Sequence, residues 1–469
     1  MKAKKWVAVR RSSQVFFFLL FTAILWSTTY PLKGGPVPTE TVFRIDPLVI
    51  FFTSLSERAL LPGIILSSIM ILLTLIFGRF FCGWVCPLGA AFDLAGLAAG
   101  RRRKEDEKAN ARNRKYKYAI LATVALSAVF GVQAAWALDP LGIMSRFLSL
   151  SFIPYVSSAL RVQFNNTFIN TEFMSVLFLA AVVTVLVKKR FWCRSICPLG
   201  AIYALTAKAA LLHREVRGCS DCGACAAKCR MGAIRDDFSY SKGECILCMD
   251  CVYDCPAVGT SFGFGGIGAA AHDGTDASRR NLLILIASSV LLSGFGRFRG
   301  PGRSRAVIRP PAALPEDEFV DRCIRCGNCM RVCITNGLQP AAGETGVSGI
   351  WTPKLVPEIG YCEYNCTLCG NTCPTGAIRR VSLAQKHCAK LGLAVVDRER
   401  CISWADGKQC MVCEEHCPVP QKAIRAVEEA VNGKVIRKPV VDGNLCVGCG
   451  ICQNKCPVEP VRAIRVRPF

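Results

Sequence analysis

The chain is poor in histidine. Its 469 residues hold four, His213, His272, His387 and His416. None lies in a hydrophobic run and no C-x-x-C-H occurs, so neither the axial pair of a transmembrane b-haem nor a c-haem attachment is offered. Acidic residues are scarce as well, 34 against 58 lysines and arginines, for a formal net charge of +24. Such a balance points to nucleic acid or anionic lipid. An aromatic-and-basic nucleic-acid module is missing, however, and much of the basic excess flanks apolar runs, where it sets membrane orientation. Missing too are the two separated ligand pairs of a structural zinc knuckle and the short length of a secreted disulfide scaffold. Cysteine, by contrast, is abundant, at 29 residues.

Twenty-four of these cysteines fall into six quartets. Four read C-x2-C-x2-C-x3-C: Cys219/Cys222/Cys225/Cys229, Cys245/Cys248/Cys251/Cys255, Cys323/Cys326/Cys329/Cys333 and Cys446/Cys449/Cys452/Cys456. Two are variants, Cys362/Cys366/Cys369/Cys373 and Cys401/Cys410/Cys413/Cys417. In this spacing three close thiolates wrap one [4Fe–4S] cube and the fourth ligates its neighbour. Pro256, Pro374, Pro418 and Pro457 follow the fourth cysteine, as that run expects. Six [4Fe–4S] clusters are predicted. In the first pair of quartets the crossed rule joins Cys219, Cys222 and Cys225 to Cys255, and Cys245, Cys248 and Cys251 to Cys229. For the last four quartets a concentric nesting is expected: Cys323/Cys326/Cys329 with Cys456, Cys446/Cys449/Cys452 with Cys333, Cys362/Cys366/Cys369 with Cys417, and Cys401/Cys410/Cys413 with Cys373. Cys388 belongs to no quartet and reads as an inert spare thiol, and His416 as a surface or supporting residue.

A mean hydropathy of +0.33 signals membrane content. A span takes about 20 mostly apolar residues, and four segments meet or approach this: Ser13–Tyr30, Ala59–Phe77, Tyr118–Leu138 and Phe173–Val187. Basic residues gather before the first (Lys2 to Arg11), between the second and third (Arg101 to Lys117) and after the fourth (Lys188 to Arg190), so both ends of the four-helix unit are predicted cytoplasmic. An internal repeat supports the unit. Arg79-Phe-Phe-Cys-Gly-Trp-Val-Cys-Pro-Leu-Gly-Ala90 matches Arg190-Phe-Trp-Cys-Arg-Ser-Ile-Cys-Pro-Leu-Gly-Ala201, and Asp46-Pro47-Leu48 matches Asp139-Pro140-Leu141. Paired copies commonly build one site between them. Cys82, Cys86, Cys193 and Cys197 would then ligate one further centre, or stand as metal-free thiols; both readings are open. Arg79 and Arg190 read as snorkelling to lipid phosphates. Asp46 and Asp139, expected near the outer surface, are the candidate catalytic carboxylates for taking a quinol proton, or else begin loop turns.

After the quartets at 215–262 comes a Gly/Ala-rich linker, then Ser278-Arg279-Arg280-Asn281-Leu282-Leu283 and a short apolar run. This resembles a twin-arginine export signal, or is a plain short helix with two flanking arginines. No A-x-A site follows, so a retained fifth anchor is expected. Arg309-Pro310-Pro311 and Pro315 read as a stiff linker. The expected architecture is an α-helical membrane bundle, four helices plus a fifth anchor, carrying two α+β ferredoxin-like [4Fe–4S] modules, one of two clusters and one of four. Its parts are residues 1–205 for the bundle, 215–262 for the cytoplasmic module, 263–300 for linker and anchor, and 316–469 for the four-cluster module.

Residues from about 10 to 262, with their four apolar runs, two C-x3-C-P motifs and paired quartets, resemble the NapH-type membrane quinol-dehydrogenase subunit. Residues from about 278 to 469 resemble the NapG/MauM-type periplasmic ferredoxin, through the twin arginine, Arg309-Pro-Pro-Ala-Ala-Leu-Pro-Glu-Asp-Glu-Phe319, Cys323-Ile-Arg-Cys, Cys362-Glu-Tyr-Asn-Cys-Thr-Leu-Cys and Cys373-Pro-Thr-Gly-Ala-Ile378. The two are fused here, and Ile334 and Arg230 stand where proline would follow the fourth cysteine. The resemblance implies a component of a respiratory chain in a bacterial inner membrane. It would oxidise menaquinol or ubiquinol from the quinone pool and pass electrons to a periplasmic reductase or c-type cytochrome. Two rivals remain: a ferredoxin-driven relay running the other way, and a membrane polyferredoxin for maturation or regulation of a terminal reductase.

Overall fold

The computed structural model describes residues 2–28, 38–98, 107–160, 168–169, 171–235, 237–257, 259–264, 307–431 and 434–469. The linker beyond Phe264 and the twin-arginine run with its fifth anchor lie outside the described residues. Contacts divide the chain into two compact units, one of residues 1–26, 37–151 and 172–297, the other of residues 27–36, 152–171 and 298–469.

The helices of the first unit, with one helix of the second, run in chain order α1 Lys2–Ser27, α2 Thr41–Arg44, α3 Pro47–Glu57, α4 Ile64–Phe77, α5 Phe80–Trp84, α6 Pro87–Ala98, α7 Glu107–Val129, α8 Pro140–Phe147, α9 Ile153–Ala159, α10 Glu172–Val187, α11 Phe191–Ser195 and α12 Pro198–Ala207. The sequence repeat is a structural repeat: α1, α3, α4, α5 and α6 correspond to α7, α8, α10, α11 and α12. Among the described residues only Lys5–Ser27 is a helix long and apolar enough to cross a membrane. The expected second and third spans are shorter than read. Gly63 and Gly78, both at positive φ (+108° and +77°), bound α4 at 14 residues. Gly131 (φ +78°) closes α7 soon after Val129.

The stretches read as outer loops hold helices of their own. Asp46 caps α3, accepting from Leu48 N at 2.8 Å and Val49 N at 3.3 Å, with Pro47 at the first helical position. Asp139 caps α8 in the same way, accepting from Gly142 N ahead of Pro140. An oxygen acceptor followed by proline is a helix start, since proline's fixed φ suits the first turn and its missing N–H is an orphan there anyway.

Three ferredoxin-like modules follow the same plan. In the first unit β1 (Leu212–Val216) pairs antiparallel with β2 (Thr260–Phe264), bracketing two cysteine runs, with an Ile234↔Tyr240 bridge between them. The second unit holds two more. An Ala313↔Ile378 bridge brackets the runs at 323 and 362, with β3 (Leu338–Pro340) paired to β4 (Pro353–Leu355) between them. Then β5 (Leu393–Val396) pairs with β8 (Ile464–Arg467) around the runs at 401 and 446, and the hairpin of β6 (Ile424–Val431) and β7 (Lys434–Val441) fills the middle. The expected stiff linker at Arg309 is instead part of a module. Arg309 Nη1 donates to Thr352 Oγ1 at 2.9 Å and Pro353 O at 2.7 Å, its guanidinium lies over Phe319, and it pairs with Glu316.

Candidate iron–sulfur sites

Backbone shape readies the ligand loops. In all four regular quartets the residues two and four places after the first cysteine have positive φ: Asp221 and Gly223, Leu247 and Met249, Arg325 and Gly327, Gly448 and Gly450. Such left-handed residues among right-handed ones turn successive N–H groups toward one side, making a concavity for negative charge. Non-glycine residues at four of these eight positions hid the pattern from the sequence.

Four apolar pockets are each lined by four cysteines. The first holds Cys245, Cys248, Cys251 and Cys229, the crossed set. In the second unit the sets are Cys362, Cys366, Cys369 with Cys333, Cys401, Cys410, Cys413 with Cys456, and Cys446, Cys449, Cys452 with Cys417. Cys326 and Cys329 face Cys323 and Cys373. The concentric nesting is therefore overturned: neighbouring runs pair, because the strand pair between two runs folds one back onto the other. Among the described residues no three His, Cys, Asp or Glu side chains converge as a single-ion site would require. Burial pushes Cys251 and Cys449 up to about 12 and Cys362 up to about 11; since the thiolate is the ligand, filling such a site releases protons.

The sites of the second unit form a file. Cys329 faces Cys369, Cys362 N donates to Cys449 O at 2.8 Å, and Cys452 faces Cys413. In the first unit Cys225 and Cys251 share a small core with Ile234, Arg214 Nη2 lies 3.5 Å from Cys225 Sγ, and Cys219 and Cys222 are exposed. Cys388 is exposed. His416 is exposed too, its Nδ1 2.9 Å from Val412 O.

The four C-x3-C-P cysteines come together, all buried. They do not ride on one helix face. Cys82 sits in α5 and Cys193 in α11, while Cys86 and Cys197 precede the next helices and accept from Gly89 N at 3.4 Å and Gly200 N at 3.2 Å. Each proline starts the following helix rather than ending the preceding one. The reading of Arg79 and Arg190 as lipid-facing is overturned. Arg79 is fully buried and Arg190 nearly so, and they cross between the repeats. Arg190 donates to Cys82 O at 2.7 Å and Gly89 O at 3.2 Å and pairs with Asp93 at 2.8 Å. Arg79 lies against Gly200, reaches Cys82 Sγ at 3.9 Å, and pairs with Glu244 at 3.1 Å.

Glu244 precedes Cys245, so this thiol cluster abuts a cysteine run. Lys117 Nζ also pairs with Glu244, at 2.6 Å, Trp84 Nε1 donates to Leu247 O at 3.1 Å, and a side chain on Gly83 would meet Ile246 O at 2.1 Å. Arg10 joins Asp93 at 3.2 Å. Basic residues read as orientation signals thus also tie the module to the helices. Asp46 and Asp139, expected near the outer surface, are both buried and face one another. The Tyr203 hydroxyl lies near them and near Cys82 and Cys86.

A relay of thiol-lined cavities on ferredoxin-like modules defines an iron–sulfur electron-transfer protein, and the comparisons agree. Residues 59–105 and 171–217, each containing one C-x3-C-P motif, match a 4Fe-4S binding domain family. The methylamine utilization ferredoxin-type protein MauM of Methylorubrum extorquens is 38% identical over 165 residues, 34% of this chain and 72% of that protein. The ferredoxin-type protein NapG of Escherichia coli is 37% identical over 167 residues, 34% of this chain and 71% of that protein. Protein NirI of Paracoccus denitrificans is 29% identical over 181 residues, 36% of this chain and 24% of its own. No solved structure matches. The chain belongs to the MauM/NapG ferredoxin-type family.

Proposed function

We propose that the chain is a membrane-bound quinol dehydrogenase, a NapH-type bundle fused to a NapG/MauM-type ferredoxin, that delivers electrons to a periplasmic reductase or cytochrome. Six [4Fe–4S] clusters would occupy the six quartets in the adjacent pairing above, and a seventh the four C-x3-C-P thiols; when bound, each cluster carries one electron at a time.

The observation that carries this reading is the junction at Gly83. The four bundle thiols and the run beginning at Cys245 are held together there by Arg79, Lys117, Trp84 and Glu244, with no room for a side chain between them. The helices also face outward with apolar residues: Val15, Phe16 and Leu19 on α1, Ile65, Ile69 and Leu72 on α4, and Phe173, Val176, Leu179 and Val183 on α10. Ser67, Thr74 and Ser127 are buried inside. An apolar outer face of this extent calls for lipid. The twin arginine at Arg279 and Arg280, as an export-type signal, favours the periplasmic side for residues 316–469. Asp46 and Asp139 are the proposed acceptors of quinol protons.

The test is anaerobic EPR on the purified chain after mixing with menaquinol. Cluster signals that grow as quinol is consumed are expected, with growth blocked in Cys82→Ser. Loaded clusters that exchange no electrons with quinol or quinone would remove this reading in favour of a maturation role.

A further inference from the structure

A cavity of about 790 Å³ opens between the first ferredoxin-like module and the ends of three helices of its own unit. Ligand sites commonly span about 300–1,000 Å³. One wall is apolar, built from Val7 and Ala8 of α1, Phe92 and Gly96 of α6 and Val185 of α10. Val7 and Ala8 lie in the first turns of the span Lys5–Ser27, and Val185 in the last turn of the apolar helix α10. The cavity therefore sits where apolar helices give way to the headgroup level, on the side predicted cytoplasmic.

The remaining wall is charged, with five basic side chains against three acidic ones. Two of the acids are already answered. Asp93 pairs with Arg190 at 2.8 Å and with Arg230 and Arg10 at 3.2 Å each, and accepts from Gln14 Nε2 at 2.9 Å. Asp250 pairs with Arg230, and its other oxygen lies 3.9 Å from Arg10 Nη2. Arg190 and Arg230 are spent on these contacts. Arg11 of α1, Lys189 in the turn before α11 and Lys228 at the end of the helix Ala224–Lys228 are exposed and pair with no described residue. Against these three cations stands the single carboxylate of Asp254. A surplus of two positive charges thus surrounds a cavity with an apolar wall. A neutral quinol would leave that surplus unmatched. A phosphate carrying acyl chains matches both walls, as in basic pockets between membrane helices that take anionic headgroups.

We propose that this cavity holds the headgroup of an anionic phospholipid, its phosphate met by Arg11, Lys189 and Lys228 and its chains against the apolar wall. The three cations come from two helices and the module, so the lipid fastens the module to the helices. This rests on the reading that the helices lie in a bilayer.

The experiment uses the full chain with its clusters in place, stripped of lipid in a neutral detergent. Native mass spectrometry and thermal unfolding are followed while phosphatidylglycerol, phosphatidylcholine or inorganic phosphate is added. One retained phosphatidylglycerol per chain and a raised thermal midpoint are expected, with neither effect from phosphatidylcholine or phosphate. Arg11→Gln, Lys189→Gln and Lys228→Gln should each weaken retention about five-fold, and the three together about a hundred-fold. Lys115→Gln, an exposed cation of α7 outside the cavity, should leave it unchanged. Hydrogen exchange over Ala224–Lys228 should slow when phosphatidylglycerol binds, and unchanged exchange would remove the fastening role. Inorganic phosphate as effective as the lipid, or Lys115→Gln as damaging as the others, overturns the site. A chain that needs detergent yet retains phosphatidylglycerol no better than phosphatidylcholine overturns this inference alone. A chain that stays monodisperse without detergent removes the bilayer reading and this inference with it.

Discussion

Replacing Glu244 by glutamine tests the docking of the first ferredoxin-like module most directly. The carboxylate is 4% exposed and lies 2.6 Å from Lys117 Nζ and 3.1 Å from Arg79 Nη1, both of which are fully buried. Burial alone would push its pKa up. Lys117 and then Arg79 outweigh that and hold it at about 2, below the ordinary 4.5. At ~1.4 kcal/mol per pH unit, this difference corresponds to about 3 kcal/mol of stability at neutral pH. Removing one partner of a buried pair costs about 3–5 kcal/mol by a separate route, and the two figures agree. The folded pKa lies below the unfolded one, so this stability is fully present above pH 4.5 and lost as pH falls from 4.5 toward 2.

Denaturant unfolding of the solubilised chain, followed by circular dichroism, gives the gap between parent and Glu244→Gln. The expected gap is about 3 kcal/mol at pH 7, unchanged down to about pH 5 and narrowing below 4.5. A variant as stable as the parent at pH 7 would show that the buried carboxylate holds nothing together. A gap constant to pH 3 would show that it acts by shape and not by charge.

Three further outcomes follow from the packing. Cys417→Ser should alter the same cluster signal as Cys446→Ser, and Cys456→Ser the same signal as Cys413→Ser, each with loss of about four iron atoms per chain; concentric nesting would couple Cys456 to Cys323 instead. Gly83→Val should cost about 1–3 kcal/mol by overpacking against Ile246 O and slow electron arrival at the module of Cys245, read by rapid-freeze EPR with iron content unchanged. Arg190→Lys keeps the charge near Asp93 but loses the fork that holds Cys82 O and Gly89 O; it should lower the thermal midpoint and shift the potential of the bundle site, both measurable on solubilised protein.

The quartets were legible because ligand spacing is local chemistry. The crossing of Cys229 to Cys245, Cys248 and Cys251 was legible, because two runs leave one arrangement. Four consecutive runs leave several, and spacing alone does not choose among them. The deciding signal lay between the runs: Asn432-Gly433, flanked by alternating residues from Ile424 to Val441, is a strong hairpin signature, and a hairpin there must bring Cys417 back toward Cys446. Asp46-Pro47 and Asp139-Pro140 were equally visible, yet an Asp-Pro step begins a helix as readily as a turn. The crossing of Arg79 and Arg190 had no sequence signal, since arginines beside apolar runs look the same whether they face lipid or a partner's carbonyl.

The repeat explains why these misreadings share one location. A single copy contributes one arginine, one capping aspartate and two thiols, and each of these also faces a group of the other half. Arg190 finds its carbonyl partners in the first copy, at Cys82 and Gly89, and Arg79 lies over Gly200 of the second. Asp46 faces Asp139, and the four thiols complete one another. A buried guanidinium or carboxyl without partners is costly, so each copy is incomplete until the other is folded against it. Sequence reading treats each residue within its own stretch of chain and assigns it the local role, whether lipid anchor or loop turn. Across a two-copy axis the partners lie roughly a hundred residues away in sequence, and local rules do not reach them.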